Sequence, residues 1–252
     1  MRNFLVSSIL VVVAMLAISS LIPAQTPERS GATKGPPDLS GVWDRPRGGA
    51  GGGAAAIPGF GFAREEPAML PWAAEKYKAA RTGPLRNPFD KGIDELDPNI
   101  SCFPPGPTLL FTMPRPFEFR QFPDVVLLFS EWDHWVRRIY MDGRGHPDGY
   151  PVTWMGHSMG TYEGDTLVVD TVNINDKTWI DLLGHPHSDA LHVVERARRV
   201  NQDTLEINFT FEDPKAYPKP WAGKKLFQLM RPCYEILEHV ICEDWLEMGK
   251  KR

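Results

Sequence analysis

Twelve residues, His185-Pro186-His187-Ser188-Asp189-Ala190-Leu191-His192-Val193-Val194-Glu195-Arg196, gather three of the chain's seven histidines with an Asp, a Glu and an Arg. Imidazoles beside carboxylates and a guanidinium can move protons and stabilise developing negative charge when a rigid element holds them in place. Strand parity divides the stretch. His185 and His187 stand two apart and project the same way in extended chain, whereas His192, five residues beyond His187, projects oppositely unless the chain turns at Ser188-Asp189. From Ala190 onward His192, Val194 and Arg196 share one face, and Leu191, Val193 and Glu195 the other. A His-Arg face turned into a barrel would be a proton-transfer site, and the same face turned outward would be surface. No Cys or Glu stands at ligand spacing to support a metal, so neither metal nor cofactor is expected.

The surrounding chain supplies partners for these groups. Asp181 and Asp176 lie in a polar loop with Asn173, Asn175 and Trp179, where an Asp either orients a histidine or satisfies a turn. Upstream, Arg138 and Tyr140 share a strand face, leading into Arg144 and His146; such a face binds a carboxylate or an oxyanion, or else is a solvated hairpin with paired charges. The expected catalytic set is therefore His187 or His192 as base, Asp181 or Asp189 as its orienter, and Arg138 or Arg196 as the group that stabilises negative charge. Tyr140, Trp154, Trp179, Arg144 and His146 are the expected ligand contacts. Gly156-His157-Ser158-Met159-Gly160 matches the G-x-S-x-G nucleophile elbow, which needs a buried strand before the Ser and a helix after it. Strand-like sequence and a turn at Gly164-Asp165 follow instead, so a serine hydrolase is the weaker reading.

These groups need positioning, and the elements that could do so are mostly strands. Phe117–Phe122, Val125–Trp132, Trp135–Met141, Thr166–Val172, Ala190–Val200, Thr204–Phe211 and Lys225–Arg231 are rich in aromatic and β-branched residues and are separated by Pro-Asp, Asp-His, Asp-Gly and Asn-Gln-Asp turns. Leu205, Ile207, Phe209 and Phe211 alternate with polar residues, the period of a strand with one wet face. Trp72–Arg81 is the clearest helix of the first half, Tyr234–Met248 a possible terminal one, and Thr82–Pro116 a proline-rich wrap around the domain or over one end. Strands joined by short turns predict a mainly β fold, an antiparallel meander closing into a lipocalin- or calycin-like barrel.

At the N-terminus, Arg2, the apolar run from Phe4 to Ile22 and Pro23-Ala24 have the form of a signal peptide over residues 1–24, with a membrane anchor as the alternative. A flexible linker over 25–38 then leads into one barrel domain, 39–252, with a Pro/Gly-rich insertion at 45–116. Export implies a periplasmic or secreted protein with no membrane attachment after cleavage. A net charge of −4 and a pI near 6.0 give no basic field for nucleic acid. Of the three cysteines, Cys233 and Cys242 are near enough for a disulfide, and nothing around Cys102 would activate it.

Two resemblances add to this. Gly41-Val42-Trp43 at the head of the first strand resembles the start of lipocalin-like proteins, in which the Trp closes one barrel end. Tyr162–Thr171 with its Glu-Gly-Asp-Thr-Leu-Val-Val-Asp-Thr core, Asn175–Trp179, and Pro186–Arg196 resemble a family of exported bacterial proteins, mostly of unassigned function. That resemblance implies export and transfers no catalytic residue. The functional expectation is an exported small-molecule enzyme, a lyase, isomerase or hydrolase using His, Asp and Arg in a barrel pocket. The competing expectation is a lipocalin-like carrier that binds an apolar or aromatic ligand without turnover.

Overall fold

The alternation of Leu205, Ile207, Phe209 and Phe211 buries one face completely in the computed structural model, which describes residues 37–46, 60–82, 103–231 and 234–237. This strand is one of nine: β1 (Gly41–Asp44), β2 (Phe117–Gln121), β3 (Val125–Ser130), β4 (Val136–Tyr140), β5 (His157–Glu163), β6 (Thr166–Val172), β7 (His192–Asn201), β8 (Thr204–Glu212) and β9 (Trp221–Leu229). They close in sequence order into a barrel. The fold is the mainly β, lipocalin-like barrel that the strand pattern predicts. One pair departs from the meander: β4 and β5 run parallel, Ile139 opposite Ser158 and Tyr140 opposite Met159. Residues 141–156 make this possible, since a parallel neighbour needs a crossover and not a tight turn.

Two helices accompany the barrel, α1 (Pro71–Thr82), one residue longer at each end than its sequence signal, and the short α2 (Gly106–Leu109). The described part of the proline-rich segment enters the barrel: Leu110 and Phe111 join its core. Phe62 enters from the other side of the insertion, its ring 4.5 Å from Phe209 and 5.1 Å from Phe211. A Cβ at Gly223 would collide with the Cβ of Phe62, so this close approach requires glycine. Trp43 is fully buried, donates its indole N–H to the Leu39 carbonyl at 2.9 Å and lies under the Arg199 guanidinium, beside the β7–β8 turn.

Among the buried side chains is one charged network. Arg137 on β4 donates to both carboxylate oxygens of Glu195 on β7 at 2.8 and 2.9 Å, to Thr171 at 2.8 Å and to Ser158 at 3.1 Å. The expected signal peptide, all of the expected linker but its last two residues, residues 47–59 and 83–102, all three cysteines and most of the expected terminal helix lie outside the described residues; Tyr234–Leu237 is irregular. Among the described residues no helix is long and apolar enough to cross a membrane.

Candidate functional site

The loop between β6 and β7 folds on itself at one end of the barrel, through mutual hydrogen bonding of Asp181 and His185. Gly184 N–H donates to the Asp181 carbonyl at 3.0 Å and Ile180 N–H to the His185 carbonyl at 2.9 Å. The Asp181 carboxylate accepts from Leu183 N–H at 3.0 Å and from His185 Nδ1 at 2.8 Å. Across the ring, His185 Nε2 meets Glu66 Oε2 at 2.8 Å, and Tyr77 of α1 donates its hydroxyl to Glu66 Oε1 at 2.6 Å. The Tyr77 ring stacks on the imidazole at 4.4 Å. Asp181 is wholly buried, His185 nearly so, and the Glu66 side chain is half exposed, 50%. A line of proton-bearing groups thus runs from the interior to solvent.

Charge is distributed along this line in a way that chemistry can use. Burial pulls the His185 imidazole down, but hydrogen bonds and Coulombic attraction from Asp181 and Glu66 outweigh it and hold its pKa above the ordinary value. Each ring nitrogen faces a carboxylate oxygen at 2.8 Å, an arrangement that favours the imidazolium form. Nearby on β9, Lys225 points inward with its ammonium 5.3 Å from the centre of the Phe62 ring. Burial lowers its pKa to about 8, with Arg45 adding to the effect and Asp181 opposing it. Trp221, two turns of the strand pattern earlier, lies 5.6 Å from His185, and its buried indole N–H has no hydrogen-bond partner. An unsatisfied buried donor beside titratable groups calls for an acceptor. Burial pushes the Tyr217 phenol up, and its hydroxyl donates to the Pro186 carbonyl at 2.7 Å.

The expected residues divide among separate places. His187 is wholly buried and spent on structure: Nδ1–H donates to the Ser188 carbonyl at 2.9 Å, Thr178 donates to Nε2 at 2.7 Å, and burial lowers its pKa. Asp181 orients His185 and not His187. Asp189 is at the surface with Lys215 at 2.7 Å, as is Arg196 with Glu163 at 2.7 Å; Arg138 is exposed. His192 turns outward, the parity that the alternation of β7 dictates once Val193 and Glu195 face inward. Its Nε2 meets Asp170 at 3.1 Å, in an outer-face group with Tyr140, Arg144 and His146. Trp179 packs against Leu109 and Met113, and Trp154 stacks on Phe103 at 4.8 Å. His187 and His192 therefore do not share a site.

Ser158 lies within β5, where the elbow needs a strand-turn-helix; its hydroxyl accepts from Arg137 inside the barrel. The geometry of a serine nucleophile is not there. Sequence reading missed Glu66, Tyr77, Trp221 and Lys225. Lys225 had a signal, because it interrupts the inward series Trp221, Gly223, Phe227, where a lysine is out of place. Among the described residues, no three or more His, Cys, Asp or Glu side chains are arranged to hold a metal ion. Comparison with protein-family models, curated proteins and solved structures found no match.

Proposed function

We propose that the chain is an exported enzyme that carries out acid–base chemistry on a small molecule at this end of the barrel. The observation that carries the reading is the Asp181–His185–Glu66 line beside the buried amine of Lys225. An amine with a pKa near 8 is neutral in a useful fraction of molecules at physiological pH and can accept a proton from a substrate C–H or O–H. His185, held between two carboxylates, supplies positive charge near the oxygen on which negative charge develops. Glu66, half in solvent, links this line to water, with which protons exchange. Trp221 N–H and the rings of Tyr77 and Phe62 supply an orienting donor and apolar walls. A groove of about 540 Å³ bordered by Phe62, Ala63, Arg64, Asn208 and Lys224 brings solvent to the outer side of the 60–66 segment.

The Arg-stabilised anion of the sequence expectation is replaced by Lys225 and His185, since Arg138 and Arg196 are surface groups. A carrier that uses the barrel lumen has less support, because Phe62, Phe111, Phe117, Phe209 and Phe227 occupy that space with ring centres 4.5 to 6.0 Å apart. The test is incubation of the protein in D2O with a mixture of small hydroxy, keto and carboxylic acids, read by mass spectrometry. Deuterium uptake or new products are expected with the wild type and are lost in Lys225→Met and in His185→Asn. Equal conversion by folded variants, or retention of a compound without any conversion, would overturn the enzyme reading, the second outcome in favour of a carrier.

A further inference from the structure

At the barrel end one carboxyl group is gripped by a separate partner at each of its oxygens. Tyr77 donates its hydroxyl to Glu66 Oε1 at 2.6 Å, and His185 Nε2 faces Glu66 Oε2 at 2.8 Å. An ionised carboxylate only accepts, so the second contact takes its hydrogen from the imidazole ring.

The two partners are held in place without help from Glu66. Tyr77 stands one turn after Ala73 on α1, and both side chains are buried. The start of α1 is tied to the chain after β8: Leu70 N–H donates to the Ala216 carbonyl at 2.8 Å and the Trp72 indole to the Lys215 carbonyl at 2.7 Å. His185 is fixed from its other nitrogen by Asp181 at 2.8 Å. The Tyr77 and His185 rings then stack at 4.4 Å with 21° between their planes, which sets hydroxyl and imidazole side by side. Trp221 packs against the same imidazole at 5.6 Å.

Glu66 has the opposite character. It belongs to the exposed run Arg64, Glu65, Glu66, between Phe62, which is anchored in the barrel core, and the backbone bond at Leu70. Its side chain is 50% exposed, whereas that of Asp181 is 0% exposed. Of the two carboxylates on the imidazole, Glu66 is the one that water can take over, since solvent replaces the hydrogen bonds it gives up. A carboxylate arriving from solution meets a hydroxyl and a positively charged ring already spaced for its two oxygens. It restores both contacts with charge assistance, which an uncharged amide does not.

We infer that the Tyr77 hydroxyl and His185 Nε2 form a carboxylate-binding site, and that a small carboxylic acid takes the place of the Glu66 side chain there. Calling that acid the substrate rests on the acid–base reading above; its binding does not. Because Glu66 is tethered, it competes at a high effective concentration, and removing it strengthens the binding of free acids.

Acetate has the atoms that Glu66→Ala removes, and acetamide is its uncharged counterpart. Titration of the full chain with each at pH 6, where acetate is ionised, is followed through the imidazole ¹H–¹⁵N signals of His185. Acetate shifts these signals saturably in the wild type and binds about tenfold more tightly to Glu66→Ala. Acetamide binds about tenfold more weakly than acetate, and adding Tyr77→Phe to Glu66→Ala lowers acetate affinity about tenfold. Equal binding of acetate and acetamide, or acetate affinity unchanged by loss of the Tyr77 hydroxyl, would overturn the inference. Acetate binding confined to the variant would overturn it too, because Glu66 is then a fixed part of the fold. If Glu66→Ala does not fold, the wild-type comparison of acetate with acetamide decides alone. Acetate binding without any conversion in D2O leaves this site standing and removes the enzyme; conversion of acids with no acetate binding does the reverse.

Discussion

Lys225 and His185 carry pKa shifts of opposite sign, and each has a consequence for stability. The Lys225 amine falls to about 8 from 10.5 in an unfolded chain. Between those values the unfolded state binds more protons, so stability rises with pH across that window and is lost as pH falls through it toward 8. Unfolding of the wild type relative to Lys225→Met, measured in urea at pH 8 and pH 10.5, should show the wild type losing on the order of 2–3 kcal/mol at the lower pH. His185 is shifted upward, so its contribution is complete below the unfolded value of 6.5 and is lost as pH rises through its folded value. The melting temperature of the wild type minus that of His185→Asn should therefore shrink from pH 6 toward pH 9, and a difference that grows over that range would refute the pairing of His185 with Asp181 and Glu66. The histidine cluster was visible in the chain, but the member that matters was not. His185, His187 and His192 look alike in sequence; which of them gains carboxylate partners depends on Glu66, 119 residues away from His185.

At the scale of the elements, alternation explains why most strands could be read directly. Period two in Thr204–Glu212 and the aromatic and β-branched content of β2 to β4 reflect one buried face per strand. The parallel β4–β5 pair could not be read so, because crossover and hairpin loops share the same Gly- and Pro-rich composition. The polar network inside the barrel was equally hidden: Arg137 and Glu195 each look like one more charge on a strand, and only register brings them together. Breaking that pair by Arg137→Met leaves Glu195 buried and unpaired and should cost about 3–5 kcal/mol, whereas adding Glu195→Leu should recover part of the loss. A denaturant-based double-mutant cycle would show this as strong coupling; additive losses would contradict it. Gly156, where the chain enters β5 at φ +66°, is a similar constraint: an added Cβ would lie 2.6 Å from the Val172 carbonyl oxygen. Gly156→Ala should cost about 2 kcal/mol or more in the same assay.

At the scale of the molecule, the barrel was legible and its use was not. Strand count and turn spacing imply closure, yet nothing in them says that Phe62 and Phe111 would fill the lumen from two segments of the insertion. Once they do, the lumen is closed to a ligand, and the proposed site is the end where the β6–β7 loop, residues 60–66 and α1 meet and where Glu66 joins the line from Asp181 to solvent. Every step of the functional account depends on a lysine amine that is partly neutral at physiological pH. The most direct measurement is an NMR titration of the Lys225 side chain in the intact protein. A midpoint near 8, moving lower in Asp181→Asn as the opposing carboxylate is removed, is the predicted result. A midpoint at the ordinary lysine value, unmoved by that substitution, would contradict the account.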